Sequence, residues 1–219
     1  MEQYELQFQF KSRYFKAGRL DSSTKQLWFV IHGYGQLAEY FIRKFKILEE
    51  HNICIIAPEG LSHFYLEDAG SRSRTGNNRV GASWMTRENR LTDIENYLEY
   101  LNQIYKKEKG SDLPIPITIL GFSQGAATAS RWIGNGKISF DRFILWAGVF
   151  PPDMDFEITK ELLKGKETFL VYGNADPFIN VDQIAEIKML AEKLNISPVT
   201  RVFEGKHDID SQMLLTFAQ

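Results

Sequence analysis

Apolar residues come along this chain in two alternating patterns. Short continuous runs at 27–31, 53–56, 115–120, 143–146, 168–172 and 199–203 have the length and β-branched or aromatic content of strands covered on both faces. Between them the apolar positions fall at helical spacing. Leu37, Tyr40, Phe41, Phe45 and Leu48 predict a helix over 37–48, and Leu91, Ile94, Tyr97, Leu98, Leu101 and Ile104 predict a longer one. Small residues over 123–133 make a third helix. Val181, Ile184, Ile187, Ala191 and Leu194 mark a fourth, and residues 209–217 close the chain as a fifth. Residues 4–15 differ from all of these: Leu6, Phe8 and Phe10 alternate with polar neighbours, which predicts an antiparallel or edge strand.

Strand and helix alternating throughout predict a mostly parallel central sheet with helices on both faces. No repeat, low-complexity tract or linker interrupts the 219 residues, so residues 1–219 are expected to form one domain.

Composition narrows the function classes. A formal net charge of −2 gives no global attraction to nucleic acid. No apolar stretch approaches the roughly 20 residues that span a bilayer. Residues 1–6 lack the basic-then-apolar order of a signal peptide, so the expected location is the cytoplasm. The single cysteine, Cys54, lies in the apolar run 53–56 and is expected to be a buried thiol, with no base nearby to activate it.

The chemistry is concentrated in Gly121-Phe122-Ser123-Gln124-Gly125. An apolar strand runs into this pentapeptide and a small-residue helix runs out of it. That context suits a nucleophile elbow, in which a serine projects from a sharp strand-to-helix turn and glycines let the two backbones approach. A serine nucleophile needs a base, and the base an orienting acid. Only His207 follows Ser123 among the four histidines, in a loop after the strand 199–203. Asp176 follows the strand 168–172 and is the expected acid. Asp208 adjoins His207 in sequence, where its carboxylate would rarely reach the Nδ1 side of that ring. Two backbone N–H groups are expected to form the oxyanion hole. They are Gln124, directly after the serine, and Tyr34, in the loop His32-Gly33-Tyr34-Gly35-Gln36 after the strand 27–31. His32 precedes the serine and is expected to hydrogen-bond loop backbone. All these segments follow strand C-terminal ends, where open α/β sheets place their sites.

With these residues in hand, the chain resembles the carboxylesterase/phospholipase family that includes acyl-protein thioesterases, within the α/β-hydrolase superfamily. The likeness runs nearly end to end: an early His-Gly-x-Gly, the Gly-Phe-Ser-Gln-Gly elbow, an Asp-Pro turn and a late Gly-x-His. Two positions depart from the family pattern. Gln36 stands where an acidic residue is usual, and Tyr172 stands where the acid loop usually has histidine. Both leave the proposed triad intact and bear on the substrate. The resemblance implies an α/β-hydrolase fold without a cap domain, and hydrolysis of carboxylic esters or thioesters with neither metal nor organic cofactor. The chain's own spacing agrees on the cap, since only residues 149–166 separate two consecutive strands.

Residues 58–88 are the longest stretch without clear periodicity, and such stretches often carry function. They hold Phe64, Tyr65 and Trp84 with Arg72, Arg74, Arg79 and Arg87. One reading is a solvated loop with Trp84 plugging the core. The other is a substrate wall in which Trp84, Phe64 and Tyr65 meet an acyl or aryl group and an arginine meets an anionic one. The expected activity is cleavage of modest-sized carboxylic esters through an acyl-enzyme. The alternatives are a long-chain acyl thioesterase or lysophospholipase, and a catalytically silent ligand-binding module. The expected partner is a small-molecule ester, with no nucleic acid and no membrane span.

Overall fold

The computed structural model describes residues 1–109 and 114–218. Among the described residues there are nine strands: β1 (Tyr14–Ala17), β2 (Gln26–Ile31), β3 (Ile53–Pro58), β4 (Ser62–Tyr65), β5 (Val80–Ser83), β6 (Ile117–Phe122), β7 (Arg142–Trp146), β8 (Glu167–Gly173) and β9 (Val199–Phe203). The helices are α1 (Ala38–Phe41), α2 (Ala69–Thr75), α3 (Arg90–Lys109), α4 (Gln124–Gly134), α5 (Phe156–Leu163), α6 (Val181–Lys193) and α7 (Ser211–Leu215). Seven strands form the main sheet in the order β1-β3-β2-β6-β7-β8-β9. Every neighbouring pair is parallel except the antiparallel β1–β3 pair. Strands β4 and β5 make a separate antiparallel hairpin.

The runs of apolar residues sit in the middle of this sheet because both of its faces are covered. Alternate residues of β2 and β7 face opposite helical layers. Leu27, Phe29, Ile31, Phe143 and Leu145 pack with α3, α4 and α6, including Tyr97, Trp132 and Leu190. Trp28, Val30, Ile144 and Trp146 pack with α1, the segment after it and α7, including Phe41, Phe45 and Leu214. At roughly 1.5–3 kcal/mol for each large apolar side chain fully buried, these two layers dominate the favourable side of folding. Cys54 is buried in the first of them.

Three elements differ from expectation. The helix over 37–48 is a single α turn, α1, continued as a 3₁₀ helix over Ile42–His51. Both periods keep Ile42, Phe45 and Leu48 inward, so the apolar spacing does not distinguish them. Residues 58–88 hold β4, α2 and β5. Strand β4 is largely exposed and β5 is Val-Gly-Ala-Ser, so neither gives an apolar run to read. At the start of the chain only 14–17 form a strand, because β3 ends at Pro58 opposite Tyr14 and offers residues 4–13 no partner.

Candidate active site

The elbow is built by two glycines at backbone-to-backbone contacts. A Cβ on Gly121 would lie 2.3 Å from the Gly125 carbonyl oxygen, and a Cβ on Gly125 would lie 2.2 Å from that of Ile31. That closeness lets β6 turn directly into α4, with Ser123 between them at φ 54° and ψ −120°. A non-glycine residue pays for such a positive φ, on the order of 1–3 kcal/mol, and holds it only where the surroundings over-determine it. Here the Ser123 N–H donates to the Trp146 carbonyl at 2.9 Å, and its carbonyl accepts from the Ala126 N–H at 2.9 Å. Ser123 remains half-buried, with β6 and α4 otherwise closed around it.

His207 and Asp176 come from loops after β9 and β8 and meet across that edge. The His207 Nδ1–H donates to Asp176 Oδ2 at 2.8 Å. The other carboxylate oxygen, Oδ1, accepts from the Phe178 N–H at 2.9 Å. The Asp176 side chain is fully buried, whereas the His207 side chain is 20% exposed. The imidazole lies between two rings: Phe122, the residue before Ser123, and Phe178 each have centroids 4.8 Å from it. With Nδ1 engaged as a donor, Nε2 is the acceptor nitrogen. Asp208 is occupied elsewhere. Its Oδ1 accepts from Lys44 Nζ at 2.6 Å and its carbonyl accepts from Trp146 Nε1 at 2.9 Å.

The loop after β2 is held on every side. His32 is wholly buried, its Nδ1–H donates to the Gly33 carbonyl at 2.8 Å, and its Nε2 accepts from the Gly60 N–H at 2.9 Å. Burial, the largest influence, pushes its pKa down to about 4 against the opposing pull of that carbonyl and of Glu59. The Gly33 N–H donates to Gln36 Oε1 at 2.8 Å, and the Gly35 N–H reaches across to the Ala82 carbonyl of β5 at 2.9 Å. Among the described residues the Tyr34 N–H has no hydrogen-bond partner. The Gln124 N–H heads α4, where the helix itself supplies no acceptor. The Gln124 side chain points back to the end of the hairpin, accepting from the Trp84 N–H at 3.2 Å and donating to the Met85 carbonyl at 3.0 Å. The hairpin is therefore stitched to both segments that carry the expected oxyanion donors.

Glu59 completes this frame. Its buried carboxylate accepts from Arg13 Nε at 2.5 Å, His63 Nε2 at 2.9 Å and the Ala38 N–H at the start of α1 at 2.9 Å. Burial alone would raise its pKa. The hydrogen bonds from His63, Arg13 and Ala38 outweigh it, so the net shift is downward.

Of the two readings of residues 58–88, the structure takes the core-plugging one at Trp84, and the three rings offered as a substrate wall separate. Trp84 is 1% exposed and belongs to the core. Its Nε1–H donates to the His32 carbonyl at 2.9 Å and its ring packs on His32 and Tyr97, so it supports the loop from beneath and presents no wall. Phe64 stacks on Tyr34 with centroids 5.0 Å apart. Tyr65, the next residue of β4, points the other way and lies under the Arg72 guanidinium at 3.7 Å. Arg79 pairs with Glu67. Of the rings on these loops, Tyr34 after β2 and Phe178 against His207 are both exposed. Phe178 went unnoticed in the sequence, although its place two residues after Asp176 put it there. A cavity of about 570 Å³ borders the loop on Gly35, Gln36, Leu37, Tyr40 and Leu66. Among the described residues no group of three or more His, Cys, Asp or Glu could hold a metal ion, and no helix is long and apolar enough to cross a membrane.

A mostly parallel sheet with a left-handed serine between strand and helix, and a His–Asp pair on later loops of the same edge, is the architecture of an α/β hydrolase. Between β7 and β8 only α5 intervenes, leaving no room for a cap. The phospholipase/carboxylesterase family model matches residues 19–219, and the chain belongs to that family. No curated protein sequence matches it significantly. Among solved structures it is similar to acyl-protein thioesterase 2 of Zea mays at 14% identity, covering 95% of this chain and 96% of that one with a TM-score of 0.68. It is also similar to esterase PE8 at 18% identity, covering 95% and 97% with a TM-score of 0.66. A Bacillus cereus carboxylesterase is 16% identical over 94% and 92% of the two chains, with a TM-score of 0.63. At these identities the likeness is one of fold.

Proposed function

We propose that this ester hydrolase works through Ser123, His207 and Asp176 on carboxylic esters of modest size. The observation that carries the reading is the Asp176–His207 hydrogen bond of 2.8 Å, formed on the same sheet edge as the strained Ser123 turn. His207 Nε2 takes the hydroxyl proton as Ser123 Oγ attacks the ester carbonyl carbon. Asp176 stabilises the imidazolium that results. The negative charge on the former carbonyl oxygen is met by the Tyr34 and Gln124 N–H groups. Collapse expels the alkoxide, which takes the proton from His207, and leaves an acyl group on Ser123. Water, activated by the same imidazole, then releases the carboxylic acid. Neither metal nor organic cofactor enters these steps.

Substrate size follows from the walls. Tyr34, Phe64 and Phe178 are single rings at an edge without a cap, and Tyr34 and Phe178 are more than half exposed. Each methylene of a long acyl chain would gain less there than the ~0.8 kcal/mol of full burial.

Intact-mass analysis after fluorophosphonate treatment should find one label, lost in Ser123→Ala together with turnover. A label on another serine, with the Ala variant still active, would overturn the assignment. With acyl esters of rising length, kcat/KM should peak at short chains and level or fall beyond about eight carbons. A steady rise through palmitoyl thioesters would instead favour the long-chain acyl thioesterase or lysophospholipase reading.

A further inference from the structure

Residues 4–13 carry a strand's pattern and no strand. Tyr4, Leu6, Phe8 and Phe10 alternate with polar residues and are 83%, 87%, 75% and 61% exposed. The Phe8 and Phe10 rings touch edge to face with centroids 6.3 Å apart, so these two side chains lie on one side. A few local bonds hold the segment, such as Thr92 Oγ1–H donating to Glu5 at 3.1 Å and Arg13 on Glu59. It leads directly into β1, the outer strand of the sheet, which among the described residues pairs only with β3. The Arg13 carbonyl accepts from the Tyr100 hydroxyl at 2.5 Å, but among the described residues the backbone of 4–12 has no hydrogen-bond partner, and an alternating apolar row of that kind, continuous with a sheet edge, is a template for strand pairing.

We propose that this segment pairs antiparallel with the same segment of a second copy of the chain, around a two-fold axis through Phe8. The choice of occupant comes from self-complementarity. In an isologous pair the two residue numbers facing each other have a constant sum. A sum of 16 sets Phe8 against Phe8 and Leu6 against Phe10 on one face. On the other face it sets Glu5 against Lys11, and Gln7 against Gln9. Among the described residues Lys11 has no ion-pair partner within its own chain, and Glu5 has none either. A sum of 14 keeps the apolar face but sets Glu5 against Gln9. A sum of 12 sets Glu2 against Phe10. Any odd sum sets apolar residues against polar ones, the one-residue slip that inverts a strand's faces. Of the sums 12, 14 and 16, only that on Phe8 sets Glu5 against Lys11 while keeping Leu6, Phe8 and Phe10 together, and it does so twice by symmetry, with Tyr4 facing Ser12.

A two-stranded ribbon is a small interface, so the dimer forms in the weak, concentration-dependent range. Sedimentation velocity on the full chain, from micromolar to submillimolar, should show a reversible dimer that Phe8→Lys abolishes. Phe8 is exposed, so the variant should keep its circular dichroism and melting temperature. Glu5→Lys or Lys11→Glu alone should weaken the dimer roughly tenfold, as two cross-strand attractions become repulsions, and the double reversal should restore most of it. Register is read by cysteine: mild oxidation should cross-link Phe8→Cys efficiently and Gln7→Cys poorly, with the native Cys54 buried and silent. A monomer at all concentrations overturns the proposal, including one that instead co-sediments with anionic phosphatidylglycerol vesicles through these rings. So does a dimer unaffected by Phe8→Lys, or equal cross-linking at 7 and 8.

Discussion

The loops carrying His32 and His207 stand at C-terminal ends of strands in the same sheet, and the difference between them is in what each imidazole has left to offer. His32 has both nitrogens engaged by backbone at 2.8 and 2.9 Å, with no exposed surface. It is a rigid peg that fixes a backbone. His207 has one nitrogen engaged by a buried carboxylate, a second that accepts, and a partly open ring. A histidine's role is set by its unfilled valences and by the cost of charging it. At His32 that cost is high, with its pKa held down to about 4 chiefly by burial.

The largest effects should fall on the His207 side. His207→Ala is expected to lower kcat by roughly 10⁴–10⁶ and Asp176→Asn by roughly 10³–10⁴, as in serine proteases where the base or its orienting acid is lost. Asp208→Asn should stay near wild type, because its exposed pair with Lys44 is worth at most about 1 kcal/mol. Steady-state kinetics on one activated ester separates these cases. If Asp208→Asn proves the more damaging, the wrong carboxylate has been assigned to the imidazole.

On the His32 side the expected loss is of stability. The folded protein holds this imidazole neutral down to pH about 4, while the unfolded chain protonates it near pH 6.5. Between those values the unfolded state binds the extra proton, so stability falls as pH drops and is fully present above about 6.5. With the folded value at about 4, the contribution lost by pH 5 is about 2 kcal/mol. Glu59 acts in the same direction at lower pH: its depressed pKa gives stability that is lost as carboxylates protonate below about 4.5. Urea unfolding of wild type and His32→Asn at pH 7.5 and pH 5 should give a smaller pH dependence in the variant, on top of its lower stability at both. Equal pH slopes would mean that His32 gains a proton without disturbing its loop.

Legibility followed burial. The central strands were visible because both faces are covered and the sequence there is nearly uniform in polarity. Ser123, Asp176 and His207 were singled out because strand ends order them along one edge. The structure sets Asp176 and His207 in contact, while their roles rest on the kinetics above. The β4–β5 hairpin was invisible for the opposite reason: its stabilising contacts are backbone and amide bonds to Gly35, Gln36 and Gln124, which leave no hydrophobic period. Trp84 was legible as either a core plug or a substrate wall, and the choice between them depends on an indole bond to the His32 carbonyl that the sequence pattern does not show. Residues 4–13 carry a strand pattern that the isolated chain cannot satisfy, because pairing needs a partner that local sequence does not supply.

The smallest effect should come from Tyr34, which divides the two roles of its loop within one residue. Its backbone N–H is the proposed oxyanion donor and is fixed by the neighbouring bonds of Gly33 and Gly35. Its ring stacks on Phe64 at 5.0 Å and is 60% exposed. Tyr34→Phe removes only the hydroxyl, keeping the stack and the N–H, so kcat should change by no more than about twofold. An exposed substitution away from buried or bonded groups is usually within about 0.5 kcal/mol of neutral. KM carries the finer information: a small rise confined to polar alcohol groups would mean that the phenol touches the leaving side of the substrate. A loss of kcat of a hundredfold or more with the fold intact would place the hydroxyl itself at the developing charge. The Tyr34 loop would then donate through a side chain where the geometry offers its backbone.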